Sequence, residues 1–359
     1  MLLVSPKWVF LSNKKIESNK SLLIDRSIIV DILVDAKIDK SFKKIPRTYY
    51  RNHLMVPTFS ESYIDMNDCD SQLKYTRKIS KLFHNGITRV QVVANDYKRI
   101  LKYDSSPNMI ISNKITLNSS KCTYDDIKNV LKTIDFYKSD TSRVFSIDLL
   151  NILNFEKDLM IKISSICNEL NLSIDVHLNE INNLSNNELN ELFKFWEEIN
   201  LINNCVVHDF LTSKKSIQKY ISKYKILMCI KYSELLDIEN IKFLLSLKPD
   251  SNKYVLISDL ENTYKLYDLF KVLSLFSKNR IAFDDKMILQ SVTSNTSDFF
   301  AETSSSGIIK KGSSASFNIF DINSKRLLCK DENYPTLADL DNKSLTAVWS
   351  SGECVNIKT

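Results

Sequence analysis

The sequence predicts an α/β fold: a (β/α)₈ TIM-type barrel over residues 53–299, with a small composite β-sandwich domain formed by residues 1–52 and 300–359. Three observations carry this. Between residues 54 and 285, short apolar runs alternate with amphipathic helical patterns. The runs are rich in β-branched residues and of strand length, as in strands buried on both faces of a parallel sheet. Both ends of the chain instead hold short strand-like pieces with no helical pattern between them, KWVFL and SIIVDILVD at one end, ASFNIFDI and LTAVWSSGECVNI at the other.

The runs are MVPTF (55–59), ITRVQVVA (87–94), MIIS (109–112), RVFSID (143–148), LSIDVH (172–177), CVVH (205–208), KILMCI (225–230), YVLIS (254–258) and RIAF (280–283). A barrel needs eight strands, so one of the nine is an edge strand or no strand at all; from pattern alone, an open doubly wound sheet is the alternative. Helix starts are legible between them. Thr123-Tyr-Asp-Asp126 opens a helix whose face is Ile127, Val130, Leu131 and Ile134, and Ser185-Asn-Asn-Glu188 opens one that presents Leu189, Leu192, Phe193 and Trp196. The helix near 70–83 stops at His84-Asn85-Gly86.

Composition narrows the function. The net charge of +6 is spread thinly over a chain with 26% charged residues, and no basic block suggests nucleic acid. The longest apolar stretches are too short to cross a membrane, and the N-terminus lacks a signal-peptide cleavage site, so a cytoplasmic setting is expected. The seven cysteines form no CxxC pair and argue against a disulfide framework or a zinc ribbon. Four glycines, at 86, 307, 312 and 352, leave no GxGxxG or Walker loop.

The four histidines can be weighed singly. His53 lies before the first barrel strand and His84 closes a helix, whereas His177 and His208 each end a strand. Strand C-termini converge on the mouth of a barrel. Glu180 follows His177 on the loop leaving that strand, and Asp284 and Asp285 follow the run RIAF. Hydrolysis of a C–N bond calls for a metal that acidifies water and a carboxylate that moves its proton. In that chemistry His177 and Asp284 are ligands, Glu180 is the shuttle, and His208 and Asp285 orient the water. The plain alternative is a structural histidine and a turn-forming Asp pair.

IDVHLNEINN resembles the fifth-strand motif of the cytosine deaminases, of form DVHxDEIDD, within the amidohydrolase superfamily. VVHD is similar to that family's next histidine segment and AFDD to its GHDD segment; VPTFSESYIDMND resembles PPFVEPHIHLDT, and GIIKKGSSASFNIFDI the superfamily's tail, GxIxxGxxADLVVxD. The resemblance implies a barrel plus a β-sandwich from both ends, one divalent metal ion (Zn or Fe), and a small nucleobase-like substrate. It departs at the first strand, where Tyr63 and Asp65 stand at the two metal histidines; Asp65 can still ligate a metal, while Tyr63 is a poor ligand. Phe283 and Ser316 replace two further polar positions. Two functions therefore stay open: a metal-dependent hydrolase or deaminase with an altered metal shell, and a non-catalytic barrel serving as a binding or regulatory protein. A homo-oligomer is compatible with either.

Overall fold

The computed structural model describes residues 1–11, 16–35, 38, 42, 44–103, 108–137, 139–140, 142–246, 254–257, 266–268, 270–271, 273, 285–296, 307–322 and 335–357. Eight parallel strands form one sheet in strict chain order: β6 (Phe59–Asp65), β7 (Ile87–Val93), β8 (Ile110–Asn118), β9 (Arg143–Leu150), β10 (Ser173–His177), β11 (Cys205–His208), β12 (Leu227–Lys231) and β13 (Tyr254–Ile257). Sequential order with helical crossovers is what right-handed βα units produce. β13 comes back against β6, so the sheet curls into a barrel.

A second eight-stranded sheet is built from both termini. Its strands are β1 (Leu2–Phe10), β2 (Ile16–Ser18), β3 (Lys20–Asp25), β4 (Ile28–Val34), β5 (Arg47–Pro57), β14 (Phe317–Asp321), β15 (Leu345–Ser350) and β16 (Glu353–Asn356). β14 pairs with β5, which joins the two ends of the chain. The sheet folds over, with Ile28 bridging Ser314, around a core that includes Val4, Leu22, Met55, Phe317 and Trp349.

The apolar run MVPTF is divided between the two sheets. Met55, Val56 and Pro57 end β5, and Phe59 begins the barrel. Pro57 has no N–H to give, and the amide of Thr58 turns outward to Ser316 O while that of Phe59 reaches Gly86 O. Gly86 is left-handed, and a Cβ there would strike the Asn318 side chain that also bonds its carbonyl, so glycine is required where barrel and terminal sheet meet. β13 takes the eighth place in the ring; the run RIAF lies outside the described residues.

The outer helices follow their caps. In α1 (Gln72–Phe83) Ser71 is the N-cap. A short α2 (Tyr97–Leu101) precedes α3 (Tyr124–Tyr137), where Thr123 and Asp126 bond each other's amides as read from sequence. After α4 (Lys157–Leu170) comes α5 (Asn186–Glu198), with its Ser185/Glu188 capping box complete. Its buried face of Leu189, Phe193 and Trp196 contributes about 1.5–3 kcal/mol for each large apolar side chain fully removed from water. α6 (Lys215–Tyr224), α7 (Ile238–Ser246) and α8 (Asp285–Ser291) complete the described helices. Among the described residues no helix is long and apolar enough to cross a membrane.

Candidate active site

Alternate residues of each strand face the barrel lumen, and the parallel register fixes which ones. Asp175 lies beside Asp148, and His177 beside His208. Val206, Cys229, Val255 and Ile257 form a lumen cluster with Tyr63, Val144 and Leu227 against it. Apart from Val144 and Val206, the set on β8 to β11 is polar: Ser112, Lys114, Thr116, Ser146, Asp148, Ser173, Asp175, His177 and His208.

Lys114 is at the centre of that set. Its side chain is 1% exposed, and Nζ lies 3.3 Å from Asp175 Oδ1, itself 0% exposed. Burial opposes the lysine's charge, but Asp175, with Asp148 beyond it, outweighs burial and holds the ammonium above the ordinary lysine range. Asp175 also accepts from His208 Nε2 at 2.6 Å and from Gln91 Nε2 at 3.4 Å. Burial and the charge of Lys114 push His208 down, so its ring is neutral and donates to Asp175. Burial raises Asp175, but Lys114 and His208 more than reverse this and keep it ionised.

His177 occupies the rim above. Its Nε2 is 3.0 Å from Asp148 Oδ1 and its Nδ1 is 3.6 Å from Asp209 Oδ2. Burial disfavours its charge, yet the two carboxylates raise it to about 9, so at neutral pH the ring is an imidazolium. Asp209 turns on to Lys231 Nζ at 3.0 Å. The contact with His177 leads, against burial and with Lys231, in holding Asp209 far below the usual carboxylate range. Asp209 adopts a left-handed backbone (φ 59°), a strained conformation for a residue with a Cβ, directly after His208. The rings of His177 and His208 stack at 5.0 Å. The network's charges balance internally: Lys114, Lys231 and His177 against Asp148, Asp175 and Asp209.

Of the residues singled out in sequence, this geometry brings together His177 and His208, with Tyr63 close by. The Tyr63 ring centroid is 5.7 Å from Lys114 Nζ. Glu180 Oε2 accepts the Ile152 amide at 2.8 Å and so ties down the loop after β9. Asp65 is exposed and accepts the Asn67 amide. Asp285 opens α8 and accepts the amide of Leu337, in the C-terminal tail. Asp284 lies outside the described residues. Lys114, Asp148, Asp175, Asp209 and Lys231 were not singled out. One signal was available: the tripeptide Ser-Ile-Asp ends one strand run and recurs in the next, and the two copies lie side by side in register.

No family model matches the sequence, and no curated protein matches it. Solved structures do match the fold. The zinc-bound adenosine deaminase of Xanthomonas campestris superposes with a TM-score of 0.74 at 11% identity, over 98% of this chain and 92% of that one. The atrazine chlorohydrolase of Arthrobacter aurescens TC1, complexed with zinc, gives 0.75 at 11% identity over 99% and 95%. The guanine deaminase of C. acetobutylicum with bound guanine gives 0.72 at 14% identity over 98% and 99%. These neighbours are amidohydrolase-superfamily enzymes. At such identities the likeness is one of fold: this chain shares their barrel.

A divalent ion like the zinc in two of those enzymes does not fit the donors as arranged here. Both ring nitrogens of His177 face carboxylate oxygens, Nε2 at 3.0 Å from Asp148 and Nδ1 at 3.6 Å from Asp209, so neither is turned toward an open coordination position. A metal beside Asp175 would also meet the Lys114 ammonium, and like charges in a low-dielectric interior repel strongly. Among the described residues no cluster of His, Cys, Asp and Glu side chains has metal-binding geometry.

Proposed function

We propose that this protein is a metal-free barrel with the amidohydrolase fold that binds a small nucleobase-like molecule at its polar mouth and does not hydrolyse it. The observation that carries this reading is the engagement of both His177 ring nitrogens by Asp148 and Asp209. The guanine held by one fold neighbour supports the ligand class. Beneath the mouth, Gln91 Oε1 and the Ser112 and Ser173 hydroxyls are buried with no hydrogen-bond partner among the described residues. Buried polar atoms of this kind call for water or a polar ligand.

The stacked His177–His208 pair at adjacent strand ends favours a second reading, hydrolytic deamination of a small cyclic amidine such as cytosine. There one divalent ion, Zn or Fe, is held by His177, Asp284 and Asp65, with Tyr63 a poor fourth; Glu180 carries the proton, and His208 and Asp285 orient water. That reading requires His177 to leave both carboxylates and Glu180 to leave Ile152.

Elemental analysis after loading with Zn²⁺, Fe²⁺ or Mn²⁺, run beside calorimetric binding and ammonia-release assays with guanine, adenosine and cytosine, separates the two. The expected result is saturable binding with no stoichiometric metal and no ammonia. About one metal per chain, lost in His177→Ala and accompanied by ammonia release, overturns the proposal.

A further inference from the structure

We infer that the Lys114 ammonium is a built-in cation that replaces a metal ion inside the barrel, with the Tyr63 ring and the Asp175 carboxylate as its two sides. This rests on the metal-free reading above and names the group responsible for it.

Lys114 lies within a barrel strand, on its lumen face, between the register partners Val93 and Ser146. A lysine this deeply buried is uncommon unless paired. Here the pairing is specific. Asp175 contacts the ammonium at 3.3 Å and holds His208 with the same Oδ1 atom at 2.6 Å. One carboxylate oxygen thus faces both a fixed cation and a histidine, the kind of environment a bound metal would otherwise supply. Across from it, the Tyr63 ring lies within cation–π range of Nζ. A tyrosine is a poor metal ligand but a good face for an ammonium, so Tyr63 and Lys114 form a matched pair. Two features that sequence alone leaves unconnected, a tyrosine near a strand end and a lysine buried within a strand, then have one cause. A lysine cannot exchange, so the charge at this point does not depend on metal supply.

The test compares the intact protein with Lys114→Ala and Lys114→Ala/Asp175→Asn, each purified with and without zinc. Bound zinc is read by elemental analysis and stability by thermal melting. The intact chain is expected to hold no zinc and to melt at the same temperature in either medium. Lys114→Ala is expected to melt lower without zinc, to take up about one zinc per chain, and to recover its melting temperature as zinc is raised. Lys114→Ala/Asp175→Asn is expected to lose both the uptake and the recovery. If Lys114→Ala is insoluble without zinc and soluble with it, the inference stands. If it is insoluble in both media, or soluble and indifferent to zinc while the intact chain is metal-free, the ammonium does not stand in for a metal, and only this inference falls. Stoichiometric zinc in the intact chain instead overturns the metal-free reading itself.

Discussion

The barrel lumen has two unlike halves. On β8 to β11 it carries Lys114, Asp148, Asp175, His177 and His208, charges and dipoles that contact one another. On β12 and β13, apart from Lys231, and with Tyr63 from β6, Val144 from β9 and Val206 from β11 beside them, it carries Leu227, Cys229, Val255 and Ile257, an ordinary apolar packing. The same backbone supports both, because a barrel only asks that alternate residues fill its interior. The halves differ in what a substitution costs. Apolar packing loses in proportion to the volume removed, whereas a buried ionic network fails when one partner goes and the rest are left uncompensated. The polar half is therefore the more specific part of the molecule and the more fragile.

The largest expected effect follows from that asymmetry. Lys114→Met removes the ammonium that contacts Asp175 at 3.3 Å and leaves His208 as its neighbour. Breaking a buried pair in this way costs about 3–5 kcal/mol, read by urea denaturation at neutral pH. Pairing it with Asp175→Asn removes both charges, and much of the loss is expected to return, since neutral replacement of both partners is far cheaper than orphaning one. A single variant as stable as the intact protein would erase the distinction between the halves.

The two halves were also unequally legible in the sequence. The apolar one reads directly: the runs KILMCI and YVLIS contain the strands Leu227–Lys231 and Tyr254–Ile257. The polar one is hidden by its own chemistry. The run MIIS was cut short where Asn113 and Lys114 begin, yet β8 continues to Asn118, because a lumen face tolerates a lysine that finds a carboxylate. Asp148 and Asp175 fell inside strand runs without being singled out, since alternation predicts which side a residue faces but not what lies across a closed barrel. The family resemblance located Glu180 and Asp285 along the chain but not their hydrogen bonds; the first serves the Ile152 amide and the second the Leu337 amide. His177 and His208 were found by both routes, because a histidine at a strand end is informative in sequence and in space.

A second effect, smaller than the loss of Lys114, concerns pH. Burial disfavours the His177 imidazolium, but Asp148 and Asp209 overcome it and raise the ring to about 9. An unfolded histidine titrates near about 6.5. The folded state binds this proton more tightly, so its stabilisation is fully present below about pH 6.5 and is lost as pH rises through about 9. Urea midpoints are expected to fall over that window, and His177→Gln is expected to flatten the slope. Lumen substitutions in the apolar half are expected to leave it unchanged. A slope that survives in His177→Gln would assign it to another group.

The smallest effect tests the apolar half on its own terms. Ile257 is fully buried beside Val255 and Cys229, and its register partner is Lys231, whose ammonium turns to Asp209. Ile257→Val removes one methyl group and no charge. If this half is only packing, the cost is about 0.5–1.5 kcal/mol, as for other buried Ile→Val changes, and it is independent of pH between about 6.5 and 9. Combined with Lys114→Met, the two losses are expected to add if packing and the Lys114–Asp175 pair act independently. A cost that grows with pH, or a double variant far from additive, would mean that Ile257 supports Lys231 and through it the Asp209–His177 contact. The division between the halves would then lie beyond β12, within reach of β13.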